Sequence, residues 1–314
     1  MSEPIIAVVG PTASGKTGLA ISLAELFAGE IISCDSMQIY KGMDIGTAKP
    51  TPEECARVPH HMIGIIEPSE AFSVSDYVYL AEQKITEVNN RNKIPFVVGG
   101  TGLYARSLLY GIEFNDNSRD DKLRALLMQQ AEEGNIVDLY EQLKFLDPIA
   151  AESIHINNTK RVIRALEYCI VTGDKFSSQC DIEKANAHEF FMIGINYRNR
   201  EILYNRINLR VDQMIEEGLI EEAKEYYNNP LKGTSVQAIG YKELFPYFDG
   251  FCSLEEAVEN IKRETRRYAK RQLTWFRREK QISWIYPDDY SSYGELVDAA
   301  VKMINESKIL SQKN

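Results

Sequence analysis

Residues 4–27 read PIIAVVGPTASGKTGLAISLAELF, and the fold is decided there. PIIAVVG is a short apolar run rich in β-branched residues, which suits a buried strand. GKTGLAISLAELF follows with Leu19, Leu23, Leu26 and Phe27 at helical spacing. Between them, Gly10-Pro11-Thr12-Ala13-Ser14-Gly15-Lys16-Thr17 matches G-x-x-x-x-G-K-[ST], a P-loop, in the strand–turn–helix setting such a loop requires. Glycines let the backbone curl, so that its N–H groups and the helix N-terminus face an anion. Lys16 adds a point charge for a phosphoryl oxygen, and the Thr17 hydroxyl is the usual ligand for Mg²⁺. The loop recognises linked phosphates and does not by itself specify a nucleotide.

The alternation continues outward. EIISCDS (30–36) reads as a second strand, KGMDIGTAKPTPEE (41–54) as a long loop, and SVSDYVYLAEQKITEVNNRNK (73–93) as a helix. Ser73 or Ser75 is its N-cap, with Asp76 in the first turn. KIPFVVGGTG (93–102) is another buried strand ending in a Gly-rich turn. Repeated strand–helix–strand units specify a parallel sheet with right-handed crossovers. From Asn115 to His188 strand signals vanish, and segments such as 120–135, 136–147 and 157–173 carry apolar residues at 3–4 spacing. EFFMIGINY (189–197) returns to a strand, 204–229 and 254–279 are long helical stretches, and ISWIYPDD is a last edge strand. The expected architecture is α/β: a P-loop NTPase-like parallel sheet flanked by helices, spanning 1–114 and 189–314, with an all-helical insertion domain at 115–188.

At 314 residues with 44% hydrophobic and 26% charged residues, the chain can bury a sizeable core in about two domains. No apolar run approaches the roughly 18 residues of a membrane span, so no membrane partner is expected. Met-Ser-Glu-Pro leads straight into a strand, without a secretory pattern. Five scattered cysteines with no CxxC pair exclude a disulfide scaffold and a zinc ribbon. A cytoplasmic protein is expected.

Absences narrow the chemistry. There is no NKxD-type base reader, and FVVGG ends in glycines where a hydrolase would carry an acid after its apolar strand. Asp35, directly after EIISC, and Thr101, after PFVVGG, belong at the carboxyl edge of the sheet, where ligands of such sheets bind. Asp35 there can hold Mg²⁺ through water, act as a general base, or cap the next turn. His60 and His61 are adjacent with no third ligand nearby, which favours structural roles. Tyr226-Tyr227 and the tyrosines from Tyr286 to Tyr293 are expected to cover the surface.

Net charge is −10, yet KRETRRYAKRQLTWFRR (262–278) holds eight Lys/Arg against one Glu, a local +7 that leaves −17 elsewhere. Basic positions 262, 263, 266, 267, 270 and 271 place a stripe along a helix, with Trp275 and Phe276 at its end. Phosphate neutralisation with stacking surfaces suits single-stranded or splayed nucleic acid. Arg200, Arg206 and Arg210 form a second series at helical spacing.

GPTASGKT, ISCDSMQIYKGMDIGTAKP, VVGGTGLY, NNTKRVIRALE, QAIGYKE and KRQLTWFRR, in that order, closely resemble the tRNA dimethylallyltransferases over residues 4 to about 286. The resemblance implies transfer of a dimethylallyl group from its pyrophosphate to N6 of the adenosine adjacent (3′) to the anticodon. Gly10, Pro11, Thr12, Ala13, Ser14, Gly15, Lys16 and Thr17 would hold the donor's diphosphate, with Mg²⁺ near Thr17. Asp35 matches the family's general base, with Ser36, Met37 and Gln38 beside the target nucleotide and Thr101 near the reacting amine. Arg210 matches an arginine that holds the pyrophosphate. Lys160, Arg161, Val162, Ile163 and Arg164, together with Arg124, match tRNA-contacting positions. So do Gln237, Gly240, Tyr241, Lys242, Lys270, Arg271, Gln272, Trp275 and Arg277. The implied partners are the anticodon stem-loop of tRNA and dimethylallyl pyrophosphate, and the chain is expected to act as a monomer. The absence of the zinc-finger tail of some eukaryotic relatives implies the bacterial type. Two other readings stand: a P-loop small-molecule kinase using ATP, and a non-enzymatic RNA-binding module.

Overall fold

A computed structural model describes residues 4–112, 120–179, 188–229 and 234–310. The chain divides into two compact units, 1–111 with 186–314, and 112–185. The sequence boundary at 114 and Cys180 lie outside the described residues.

The first unit is built on a six-stranded, wholly parallel sheet. Its strands are β1 (Ile5–Val9), β2 (Gly29–Ser33), β3 (His60–His61), β4 (Ile94–Gly99), β5 (Phe190–Ile195) and β6 (Ile282–Ile285), in the order β3-β2-β4-β1-β5-β6. All five residues of β1 are buried, as a strand covered on both faces requires. On one face, Leu19 and Leu23 of α1 (Lys16–Leu26) pack with Leu296, Ala300 and Ile304 of α13 (Tyr293–Ser307) against Ile6, Val8, Phe96 and Ile193. Between β2 and β4 come α2 (Pro52–Arg57) and α3 (Val74–Asn90). α3 starts at Ser73, which forms a capping box with Asp76, and buries Tyr77, Ala81, Ile85 and Val88. α4 (Gly102–Leu109) follows β4 directly.

The second unit is helical, with α5 (Asp121–Glu132), α6 (Ile136–Leu146), α7 (Pro148–Ser153) and α8 (Thr159–Thr172). Leu127, Leu139, Leu143, Leu166, Val162 and Ile163 form its own core. Val162 and Ile163, expected at an RNA surface, are therefore buried at 0% and 2% exposure, and their side chains cannot reach a ligand. Their neighbours Lys160 and Arg161 are exposed. Arg124 and Arg164 lie against the fully buried Glu167, at 2.5 and 3.4 Å.

After β5 come α9 (Arg200–Glu216), α10 (Leu219–Asn228), the short α11 (Phe245–Phe248) and the 23-residue α12 (Leu254–Phe276). The stretch 204–229 is thus two helices, because Gly218 turns left-handed at φ +106° and ends the first. Tyr226, expected as surface cover, is 8% exposed and meets Tyr241 edge-on at 5.6 Å. Among the described residues no helix is long and apolar enough to cross a membrane.

Candidate active site

The P-loop leaves β1 at the carboxyl edge of the sheet and ends in the first turn of α1. Gly15 caps that helix at φ +92°, a conformation that L side chains rarely adopt. Ala13 is also left-handed, at φ +60°, and its carbonyl accepts from Arg206 Nε at 2.9 Å. Four residues further along α9, Arg210 points its guanidinium at Thr12 Oγ1 and the Ala48 carbonyl, both at 3.5 Å. The i, i+4 spacing puts both arginines on the face of α9 that meets the loop. Ser14 Oγ is buried and without a hydrogen-bond partner. Lys16 Nζ rests 3.4 Å from the Pro11 carbonyl. Burial pulls its ammonium down to about 8, opposed by the Asp35 carboxylate and reinforced by Arg210.

Asp35 and Thr101 meet as their strands dictate, because β2 and β4 are neighbours. The Ser36 N–H donates to Thr101 Oγ1 at 3.0 Å, and the Met37 N–H donates to Asp35 Oδ1 at 2.9 Å. The close approach explains one glycine: a Cβ on Gly99 would sit 2.0 Å from the Cys34 carbonyl oxygen. Beneath them, burial pushes the Cys34 thiol up to about 12, which keeps it protonated and inert. Gln38 faces inward, accepting from Ser33 Oγ at 2.9 Å and donating to the Ala48 carbonyl at 2.9 Å, so its amide anchors the loop.

A cavity of about 580 Å³ opens beside these residues. Its polar lining includes Thr12, Asp35, Arg210, Glu243, Asn260 and Glu264, and its apolar lining includes Ile207, Val211, Met214, Ala238, Ile239 and Pro246. Tyr268 of α12 lines it too, under the Arg271 guanidinium at 5.7 Å. Burial raises the Tyr268 phenol, with the Asp35 charge adding to it, so it stays a neutral hydroxyl. Ser36, Met37, Gln237, Gly240, Lys242 and Arg271 border the same cavity.

Two expected contacts are redirected. Gln272 is 5% exposed; its Oε1 accepts from the Thr12 N–H at 2.9 Å and its Nε2 donates to the Gly100 carbonyl at 3.0 Å. Tyr241 is 1% exposed and donates to Glu222 at 2.7 Å. The basic segment is also less bare than its own sequence suggests. Lys262 pairs with Asp212 at 2.6 Å, Arg266 with Glu259 at 2.9 Å and Arg267 with Glu264 at 2.6 Å. Lys270, Arg271 and Arg277 are exposed, and half-buried Trp275 packs over Gly102.

Sequence reasoning missed Glu222. Its carboxylate accepts from the N–H groups of Asp44, Ile45 and Gly46, each at 2.9 Å, and so fixes the loop that carries Thr47 and Ala48 into the cavity. The residue sits in EEGLIEEAKE, which reads as a solvated helix face and gives no signal of this role.

Fold and site define an α/β protein with a parallel sheet, whose loop after β1 opens onto a half-apolar cavity. The IPP transferase family model matches residues 38–279, and an isopentenyl transferase model matches residues 3–67. The chain belongs to the IPP transferase family. It is 49% identical over 303 residues to a tRNA dimethylallyltransferase of Caldanaerobacter subterraneus subsp. tengcongensis, covering 94% of this chain and 96% of that one. The solved structure of the full-length tRNA isopentenylpyrophosphate transferase of Bacillus halodurans superposes with a TM-score of 0.72 at 45% identity, covering 99% of this chain and 100% of that one. A eukaryotic dimethylallyltransferase acting on tRNA gives a TM-score of 0.84 at 29% identity, covering 100% of this chain and 81% of that one.

Proposed function

We propose that this enzyme, a prenyltransferase, moves the dimethylallyl group of dimethylallyl pyrophosphate to N6 of the adenosine 3′ to the anticodon of tRNA. The carrying observation is a single cavity lined both by Thr12 and Ala13 of the loop after β1, with Asp35 and Arg210, and by Ile207, Val211, Met214, Ile239 and Pro246. A diphosphate suits the polar lining and a five-carbon isoprenoid suits the apolar lining.

The exocyclic amine of adenine is a weak nucleophile, because its lone pair is delocalised into the ring. As the new C–N bond forms and the allylic C–O bond breaks, Asp35 takes the amine proton and the pyrophosphate departs. Lys16 and Arg210 bear on the charge that grows on the leaving group. Tyr268 lines the same cavity, and Thr101 Oγ1 holds the Ser36 N–H beside Asp35. Oxygen donors suit Mg²⁺, and Thr17 and Asp35 line one small chamber. Thr17, with Asp35, would hold the ion, which would neutralise charge on the pyrophosphate.

For tRNA, the exposed positions Lys160, Arg161, Gln237, Lys242, Lys270, Arg271 and Arg277 carry the reading, with Ser36 and Met37 at the cavity mouth. We place the enzyme in the cytoplasm, as a monomer. Incubation with bulk tRNA and either labelled dimethylallyl pyrophosphate or γ-labelled ATP tests the function. Isoprenoid label in the RNA supports it, and phosphoryl label on a small acceptor with none in RNA returns the kinase.

A further inference from the structure

Ala13 is left-handed at φ +60°, a conformation that costs a residue with a Cβ more than it costs Gly15 two positions later. A residue held in such a region persists only where its surroundings over-determine it. Two side chains from after β5 supply that constraint. Arg206 Nε on α9 donates to the Ala13 carbonyl at 2.9 Å, and the Tyr197 hydroxyl donates to the Ser14 carbonyl at 3.3 Å. The two donors are neighbours, with the Arg206 guanidinium carbon 5.8 Å from the centre of the Tyr197 ring. Ala13 and Tyr197 also pack with Leu203 and Ile207 of α9 in one buried cluster, so the helix that carries Arg206 is fixed against the loop.

A trans peptide unit points its C=O and its N–H in opposite directions, and none of the described peptide bonds is cis. A carbonyl held toward its donor therefore turns the next residue's N–H the other way. In the Ala13–Ser14 unit that N–H closes a turn onto the Pro11 carbonyl at 3.3 Å. In the Ser14–Gly15 unit the N–H has no acceptor among the described residues. It stands at the start of α1, where a helix leaves its N–H groups unpaired and favours an anion. A carbonyl swung round would withdraw such a donor and set a negative dipole against the anion.

We propose that Arg206 is a positioning residue for the donor's diphosphate, acting through its Nε bond to the Ala13 carbonyl, which holds the loop after β1 in its anion-binding shape. The inference rests on the diphosphate reading of that loop in the preceding section. Arg206 is exposed, so solvent and salt screen its charge, and the directional bond is what it contributes.

Two substitutions separate the bond from the charge. In Arg206→Gln the side-chain amide nitrogen falls at the position of Nε and the charge is lost. In Arg206→Lys the charge stays and a methylene takes the Nε position. Binding of inorganic pyrophosphate to the full chain is measured by calorimetry, with Mg²⁺ present throughout. We expect Arg206→Lys to raise the pyrophosphate Kd about tenfold, and Arg206→Gln to stay within about threefold of the parent. Adding Ala13→Gly to Arg206→Lys should bring the Kd back to within about threefold of the parent, because glycine turns left-handed without help. A role confined to the stability of α9 gives no such recovery. The reverse order, with Lys like the parent and Gln impaired, overturns the proposal in favour of a direct contact between charge and diphosphate. Gln impaired as much as Lys, or a Lys variant that Ala13→Gly does not rescue, also overturns it. A parent chain that binds no pyrophosphate overturns the diphosphate reading and this inference together. A parent that binds it, with both Arg206 variants unaltered, overturns only the role of Arg206.

Discussion

The Thr12 backbone N–H donates to the side-chain oxygen of Gln272 at 2.9 Å, across 260 positions of sequence. Gln272 Nε2 spends itself on the Gly100 carbonyl at 3.0 Å, so one amide of α12 holds both the loop after β1 and the loop after β4. Gln272→Leu leaves both backbone groups unpaired, each costing about 1–3 kcal/mol. The expected result is a lower Tm and a donor KM raised about tenfold. The salt dependence of tRNA binding should not change, because this amide touches no phosphate. A lost salt slope with normal donor KM would restore Gln272 as an RNA contact.

Asp35 takes the amine proton in the reaction proposed above. Asp35→Asn keeps the size and the acceptor used by the Met37 N–H, but it cannot accept a proton. The single-turnover rate should fall about 10²–10⁴-fold. Donor and tRNA affinities should hold within about threefold. If added Mg²⁺ restores the rate, Asp35 is a metal ligand first.

The basic helix divides into paired and unpaired halves. Lys262, Arg266 and Arg267 already have carboxylates within 2.9 Å, whereas Lys270, Arg271 and Arg277 are exposed toward its C-terminal end. Lys270→Ala and Arg277→Ala should each lower the slope of log affinity against log salt by about one unit. Lys262→Ala and Arg266→Ala should lower it far less. Equal losses from both halves would mean that the ion pairs open on RNA.

Lys16 gives a pH signature. Burial brings its ammonium down to about 8, and only the charged form attracts a phosphoryl oxygen. Donor kcat/KM should therefore be level below that pH and fall about tenfold per unit above it. Lys16→Arg, always charged, should remove the bend. The sign for stability is opposite. Between about 8 and the ordinary 10.5 the unfolded chain binds the extra proton, so the free protein gains stability as pH rises through that window.

What was legible in the sequence follows from which effects are local. The strand–loop–helix of residues 4–27 carries its own periodicity and glycines, and neighbouring strands bring Asp35 and Thr101 together once the sheet is parallel. The capping box of Ser73 and Asp76 lies within four residues and reads directly. Burial by distant elements does not. Nothing in KRQLTWF reveals that Gln272 turns toward Thr12 while Arg271 turns to solvent. Nothing near Lys262 announces Asp212, which arrives on α9. Val162 and Ile163 directly follow the exposed Lys160 and Arg161, so a segment-wide match covers both faces of α8 when only one can meet a ligand.

The order of strands has a consequence for biogenesis. Ile6 in β1 pairs with Phe96 on one side and with Phe191 on the other, so the centre of the sheet waits for chain made much later. Pairings so remote in sequence carry a large loop-closure cost and slow folding. On the ribosome, the first strand must remain unpaired on its β5 side until the whole helical unit has emerged. That unit has local contacts and its own core, so it can settle first and shorten the effective loop. During synthesis the insertion thus serves the sheet that it interrupts: once collapsed, it brings β5 back within reach of β1.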